Sequence, residues 1–248
     1  FFIVFLKQIL IKKINKKKNF IKFCGKFSKN IQSNNTISKL FKILEQKRLI
    51  KQKYYIKINK NIPQKAGLGG GSMNAANILK YLIKKKVIFI NKREMFNIAR
   101  LIGSDVILGL QNNNTILTSN NKIQSFKNCK KFYILIIKPN FGCSTKKIYS
   151  HVNKFDKIRF NNPSKKMFNA NFLKKMDNAL ERVVLNKYSS LQKVKSYLSH
   201  LENPIFVRMT GSGSALVSYY YSKKQRDKAQ KQFNKDYKKY WCIRSKTI

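Results

Sequence analysis

Acidic residues are the main shortage in this chain. Nine Asp and Glu face 54 Lys and Arg in 248 residues, a formal net charge of +45. With so few carboxylates, each one is informative. Histidine is scarcer still, with only His151 and His200. The four cysteines, Cys24, Cys129, Cys143 and Cys242, include no Cys-x-x-Cys pair, so no zinc site is readable from their spacing. Scattered cysteines in a chain this long read as free thiols in a reducing compartment, which points to a cytoplasmic protein. No apolar run approaches the ~20 residues needed to span a bilayer. The opening Phe1–Leu6 run is too short for a signal sequence and has no basic region before it. The chain does not open on Met and is expected to enter inside a strand, with N-terminal residues missing.

What is present is ample for a core. Apolar residues make up 43% of the chain, which excludes a disordered tail. A charge of +45 invites a nucleic-acid reading. The lysines are spread along the whole chain, however, and come with abundant Asn, Ile, Phe and Tyr. All of these have A/T-rich codons, so a base-composition bias accounts for them together. No specific nucleic-acid partner is expected, only non-specific attraction to polyanions at low salt.

Periodicity predicts strands over 3–14, 20–23, 54–58, 116–118, 132–137, 205–209, 215–221 and 240–244. It predicts helices over 35–44, 72–86, 92–101, 171–186, 190–201 and 223–235, with 153–164 irregular. Pro139 and Gly142 break the pattern near 138–145, where a domain boundary is expected.

The strongest local signal is the run Pro63, Gln64, Lys65, Ala66, Gly67, Leu68, Gly69, Gly70, Gly71, Ser72, Met73, Asn74. Glycines let the backbone approach a ligand, and the loop opens a helix whose N-terminus is partially positive. That combination is an anion cradle suited to a triphosphate. Ser72 is placed to cap the helix or to touch a phosphate or Mg²⁺. It is not a Walker A loop, because no Gly-Lys-Ser/Thr follows, nor a Rossmann loop with a distal acid. A second small-residue loop, Thr210, Gly211, Ser212, Gly213, Ser214, lies between two predicted strands.

The arrangement Pro-x-x-x-Gly-Leu-Gly-Gly-Gly-Ser-x-Asn-Ala-Ala resembles the ATP loop of the GHMP kinases. The doubled Gly70-Gly71 and the Asn74-Ala75-Ala76 tail resemble the branch that phosphorylates a cytidine diphosphate-linked methylerythritol in non-mevalonate isoprenoid synthesis. That branch commonly has Ser where Met73 stands. Its catalytic Asp lies in Gly-Ala-Asp-Val-Pro, which Gly103-Ser104-Asp105-Val106-Ile107 resembles apart from Ile107. The resemblance makes Asp105 the group that orients or deprotonates the attacking hydroxyl. A helix-capping Asp is the bland alternative. Gly211–Ser214 would support the phosphate cradle or the substrate. The segments Lys138–Thr145 and Asn178-Ala179-Leu180-Glu181 also have family counterparts and are assigned structural roles. Phe141 and Tyr149 read as packing aromatics or cytosine-stacking rings. The family's leading Ala-Lys-x-Asn and Gly-Tyr-His segments are not in the sequence, although the resemblance covers nearly all of it.

The resemblance implies an α+β fold. An N-terminal ATP-binding domain over 1–140 would be like ribosomal protein S5 domain 2, without its first strand. A ferredoxin-like C-terminal domain would cover 141–248, with the active site in the cleft between them. It implies ATP and Mg²⁺, a small-molecule substrate, and a monomer or homodimer without a membrane role. Homoserine- or mevalonate-type kinases are the alternatives within the family, and competition by CDP separates them. An ATP binder without activity is another. Outside the family, a basic RNA-binding protein would show steep salt dependence and no need for ATP.

Overall fold

A computed structural model describes residues 9–120, 122–152 and 162–248. Residues 3–8 of the strand expected over 3–14, and residues 153–161 of the irregular stretch expected over 153–164, lie outside the described residues. The chain folds as two compact units. One contains residues 9–64 and Gly69–Asn112; the other contains Lys65–Leu68 and Asn113–Ile248. Residues 113–140 pack with the C-terminal residues in the second of these units.

The first unit starts with strands β1 (Ile9–Ile14) and β2 (Phe20–Cys24). They are close in sequence but do not pair with each other. Strand β3 (Lys53–Asn59) inserts between them, antiparallel to β1 and parallel to β2. The parallel pairing needs a crossover, and helix α1 (Thr36–Gln46) supplies it. Asn35 caps α1 by accepting from the amides of Ile37 and Ser38, while Ser38 closes a capping box. Tyr54, Ile56 and Ile58 alternate into the core. Helices α2 (Gly70–Lys84), α3 (Lys92–Ile102) and the short α4 (Val106–Gly109) complete the unit.

The second unit carries the hairpin β4 (Asn114–Leu117) and β5 (Ile123–Phe126) and a four-stranded antiparallel sheet. That sheet contains β6 (Tyr133–Lys138), β7 (Phe206–Met209), β8 (Leu216–Tyr220) and β9 (Trp241–Lys246), in the order β7-β8-β6-β9. Helices α5 (Thr145–Tyr149), α6 (Ala170–Lys175), α7 (Ala179–Lys187) and α8 (Ser189–His200) lie between β6 and β7. A 3₁₀ turn, Lys165–Phe168, precedes α6, and α9 (Lys223–Asp236) joins β8 to β9. Two interleaved β-α-β units in that strand order make the ferredoxin-like arrangement. Its core joins Leu135, Ile137, Val184, Leu198, Leu216 and Phe233.

The predicted helix over 171–186 is two helices. Met176 is extended, and Asn178 turns its side chain onto the amide of Leu180 to start α7. A short polar side chain of this kind competes with the helical ladder.

Candidate active site

In the first unit, α2 opens on Gly69 at φ 61°, with no side-chain cap. The first N–H groups of a helix point out along its axis and carry its positive end. Met73 donates to the Gly69 carbonyl at 2.9 Å, which fixes the helical turn above the glycines. Thr36, the first residue of α1, donates its hydroxyl to the Gly71 carbonyl at 3.0 Å and braces the same turn.

Lys60 was not foreseen as part of this place. Its ammonium lies 3.9 Å from where a Cβ on Gly70 would stand, so it meets the positive end of α2. Burial holds its pKa below the ordinary lysine range. Its backbone is clamped: the Lys60 amide donates to Cys24 O at 2.6 Å, and the Phe27 amide donates to Lys60 O at 3.1 Å. A cation at a helix N-terminus is electrostatically unfavourable without an anion, so the pair reads as an anion subsite. The sequence signal was present, since Lys60 directly follows β3 and precedes the Pro63 loop. Among so many lysines nothing singled it out.

Asp105 stands just before α4, exposed, and its carboxylate makes no capping bond. The capping alternative therefore finds no support in the hydrogen bonding. One turn along, Gly109 packs on α2: a Cβ there would lie 2.8 Å from Ala76 Cβ and 3.0 Å from Met73 Sδ. This contact sets α4 against the early turns of α2. It also uses the Met73 side chain for helix packing rather than for phosphate. Ile107, in place of the family's proline, is buried in the same turn. Asn74 is buried in α2, its amide oxygen without a hydrogen-bond partner among the described residues.

The second unit brings together the start of the glycine loop and the second small-residue loop. Thr210 donates its hydroxyl to the Gly67 carbonyl at 3.0 Å. The amides of Ser214 and Ala215 donate to the carbonyls of Lys65 and Ala66 at 3.3 and 3.2 Å. A Cβ on Gly67 would stand 2.0 Å from Thr210 O, and φ there is +67°, so only glycine fits. Thr145 and Ser212 share a hydroxyl–hydroxyl bond of 2.9 Å. Ser214 donates its hydroxyl to Phe141 O at 2.7 Å.

Two further groups hold these loops. Buried Lys138 donates from Nζ to Pro139 O and Phe141 O, each at 2.8 Å, and burial pushes its pKa down. Asn178 donates to Met209 O and Gly211 O at 2.9 and 2.8 Å, while Glu181 accepts from the Met209 amide at 3.2 Å and pairs with Lys195. The family-like Asn-Ala-Leu-Glu segment is thus a clamp on the 209–211 strand end.

Some predicted residues fall outside these arrangements. Gln64 spends its amide on Phe27 O and Lys29 O, and Pro63 is buried. The Phe141 ring stacks on Tyr188 at 4.8 Å, while Tyr149 is exposed. Among the remaining acids, Glu45 pairs with Lys53 and Asp227 with Arg226 and Arg244.

Residues 35–115 match the N-terminal domain of the GHMP kinases. The chain is 54% identical over 242 residues to a 4-diphosphocytidyl-2-C-methyl-D-erythritol kinase of Pelagibacter ubique, covering 97% of this chain and 86% of that protein. A Clostridium botulinum enzyme of the same name is 34% identical over 173 residues, 66% of this chain and 61% of the enzyme. Among solved structures, a 4-(cytidine 5'-diphospho)-2C-methyl-D-erythritol kinase matches with TM-score 0.72 at 19% identity, over 96% of this chain and 85% of that one. A Cytophaga hutchinsonii homoserine kinase matches with TM-score 0.74 at 14% identity, over 98% and 85%. The structural matches speak for the fold alone and do not separate substrates; the sequence identity does. On that identity, the chain belongs to the GHMP kinases and, within them, to the 4-diphosphocytidyl-2-C-methyl-D-erythritol kinase family.

Proposed function

We propose that this protein transfers the γ-phosphoryl group of ATP to the 2-hydroxyl of 4-diphosphocytidyl-2-C-methyl-D-erythritol. The observation that carries the reading is the 54% identity to a kinase of that name across 97% of the chain. The site chemistry agrees with it. The positive end of α2, which no side chain caps, and Lys60 favour an anion, and phosphoryl transfer is catalysed chiefly by positioning and charge neutralisation. Asp105 takes the role of the carboxylate that orients or deprotonates the attacking hydroxyl.

No group of three or more His, Cys, Asp or Glu able to hold a metal occurs among the described residues. Mg²⁺ usually keeps few protein ligands and shares the phosphates of its nucleotide. An ion that arrives with ATP would need few protein ligands, and the Ser72 hydroxyl, in the first turn of α2, would serve as its protein oxygen. Bound there, Mg²⁺ would neutralise charge on the phosphates. No helix is long and apolar enough to cross a membrane among the described residues. We place the enzyme in the cytoplasm, acting on a small molecule as a monomer or homodimer.

The test is ADP release with three acceptors offered separately: the diphosphocytidyl alcohol, homoserine and mevalonate. Release with the first alone is expected. Equal release with either of the others would move the assignment to that kinase. Nucleotide binding without turnover on any acceptor would leave an ATP binder.

A further inference from the structure

The β1-β3-β2 sheet has a second face that takes no part in the phosphate site. Tyr54, Ile56 and Ile58 point inward from β3, so Tyr55 and Lys57 point outward. The register completes that outer face. Tyr55 pairs with Phe20 on one side and Lys12 on the other; Lys57 pairs with Lys22 and Leu10. Phe20 and Tyr55 stack at 5.7 Å with ring planes 10° apart. Phe20 is 57% exposed and Leu10 43% exposed. The turn leading into Phe20 adds Lys16, Lys17 and Lys18, all exposed, and none of the three strands contains an acid.

Two features of this face serve the sheet poorly by themselves. Lys22 and Lys57 lie directly opposite each other across the strands, an arrangement that destabilises pairing. Beside them, a large ring is left in water. A ligand that brings both negative charge and flat apolar surface turns each liability into a contact. A single nucleic-acid strand has that composition: phosphates at regular spacing and bases that stack on aromatic side chains. Lys12, Lys22 and Lys57 supply the charge complementarity and the Phe20–Tyr55 pair the stacking platform.

We propose that the outer face of β1-β3-β2 binds single-stranded nucleic acid without sequence preference, bases stacking at Phe20 and Tyr55 and phosphates meeting Lys12, Lys22 and Lys57. The proposal is independent of the kinase reading, because it uses other residues and needs no ATP.

It is tested by fluorescence anisotropy of the full chain with a labelled oligothymidine of about 20 nucleotides, long enough for one strand-binding platform. Heparin, a polyanion without bases, is the comparison. The double substitution Phe20→Leu, Tyr55→Leu keeps apolar bulk and removes the rings. It should weaken oligothymidine binding by about fivefold or more and leave heparin binding unchanged. Replacing Lys12, Lys22 and Lys57 by Gln should flatten the slope of log affinity against log salt by about 2, at roughly 0.7 per phosphate lost. The same charge change on α9, at the exposed Lys223, Lys224 and Lys228, should leave the slope unaltered. Unchanged oligothymidine binding in the leucine variant, or an equal slope change from the α9 triple, would overturn the proposal. Cross-linking of a bromouracil strand to the unaltered protein gives a reading that needs no variant. Adducts at Phe20 or Tyr55 are expected; adducts confined to other segments would sink it.

Discussion

At Gly67 a single hydrogen atom separates a working loop from a blocked one. Substitution by Ala would set a Cβ 2.0 Å from a backbone oxygen at a positive φ. The left-handed conformation alone costs roughly 1–2 kcal/mol, and the clash adds to it because Thr210 O is backbone and cannot swing away. Gly67→Ala is expected to lower the melting temperature and to raise KM for ATP together; an unchanged melting temperature would contradict the packing. Asp105→Asn should behave differently. Its side chain is exposed and caps nothing, so stability should hold while kcat falls by about 10²–10⁴, the usual span for a lost general base. Nucleotide affinity, followed by calorimetry, should stay near that of the unaltered chain. Lys60 adds a pH dependence. Burial lowers its folded pKa, so its protonated form costs stability in the free protein, and the cost disappears as pH rises through that pKa. A bound phosphate favours the charged form. Stabilisation by ATP should therefore be full at neutral pH and fade as pH climbs towards the unperturbed lysine range. Thermal shifts measured across pH should lose this trend in Lys60→Met.

Elements show where local sequence suffices and where it does not. The glycine loop, Asp105 and the 210–214 loop stand out in the sequence because each depends on residue types with little chemical redundancy. The strands with alternating apolar residues and the long amphipathic helices were legible from the period of their apolar residues. The 171–186 helix was misread because periodicity runs through Asn178, whereas the structure spends that side chain on a cap and a clamp. Strand β5 escaped because it has only four residues and two apolar ones. The compact units follow sheet partners rather than chain order: β6 pairs with β8 and β9, far along the chain. Lys60 escaped among lysines of the same composition. The Asn178 clamp makes its own prediction. Asn178→Ala removes both bonds to the 209–211 strand end, a part-buried one at Met209 O and an exposed one at Gly211 O, a loss of about 0.5–1.5 kcal/mol. Hydrogen exchange should rise at 209–215, and KM for ATP should rise more than kcat falls. A fall in kcat alone would point to a role other than holding the loop.

For the molecule as a whole, charge is the quantity that no single site explains. An excess of +45 cannot be neutralised internally by nine acids, and the acids already committed to pairs, such as Glu45, Glu181 and Asp227, reduce what remains. The folded state brings the lysines closer than the unfolded chain does, so self-repulsion opposes folding. The Debye length shrinks from about 30 Å at 0.01 M salt to about 10 Å at 0.1 M, which screens repulsion between side chains scattered over the surface. Chloride should therefore raise the melting temperature steadily between those concentrations, where a protein of balanced charge would change little. The same salt should weaken any polyanion on the β1-β3-β2 face, since counterions compete for the lysines there. Stability and polyanion binding are thus expected to move in opposite directions with salt. A scan of melting temperature with and without oligothymidine checks both at once. The oligonucleotide should stabilise strongly at low salt, and its effect should vanish near the concentration where the free protein approaches its own plateau. If the free protein instead loses stability as salt rises, ion pairs rather than repulsion dominate its electrostatics, and the lysines are better matched than the sequence implies.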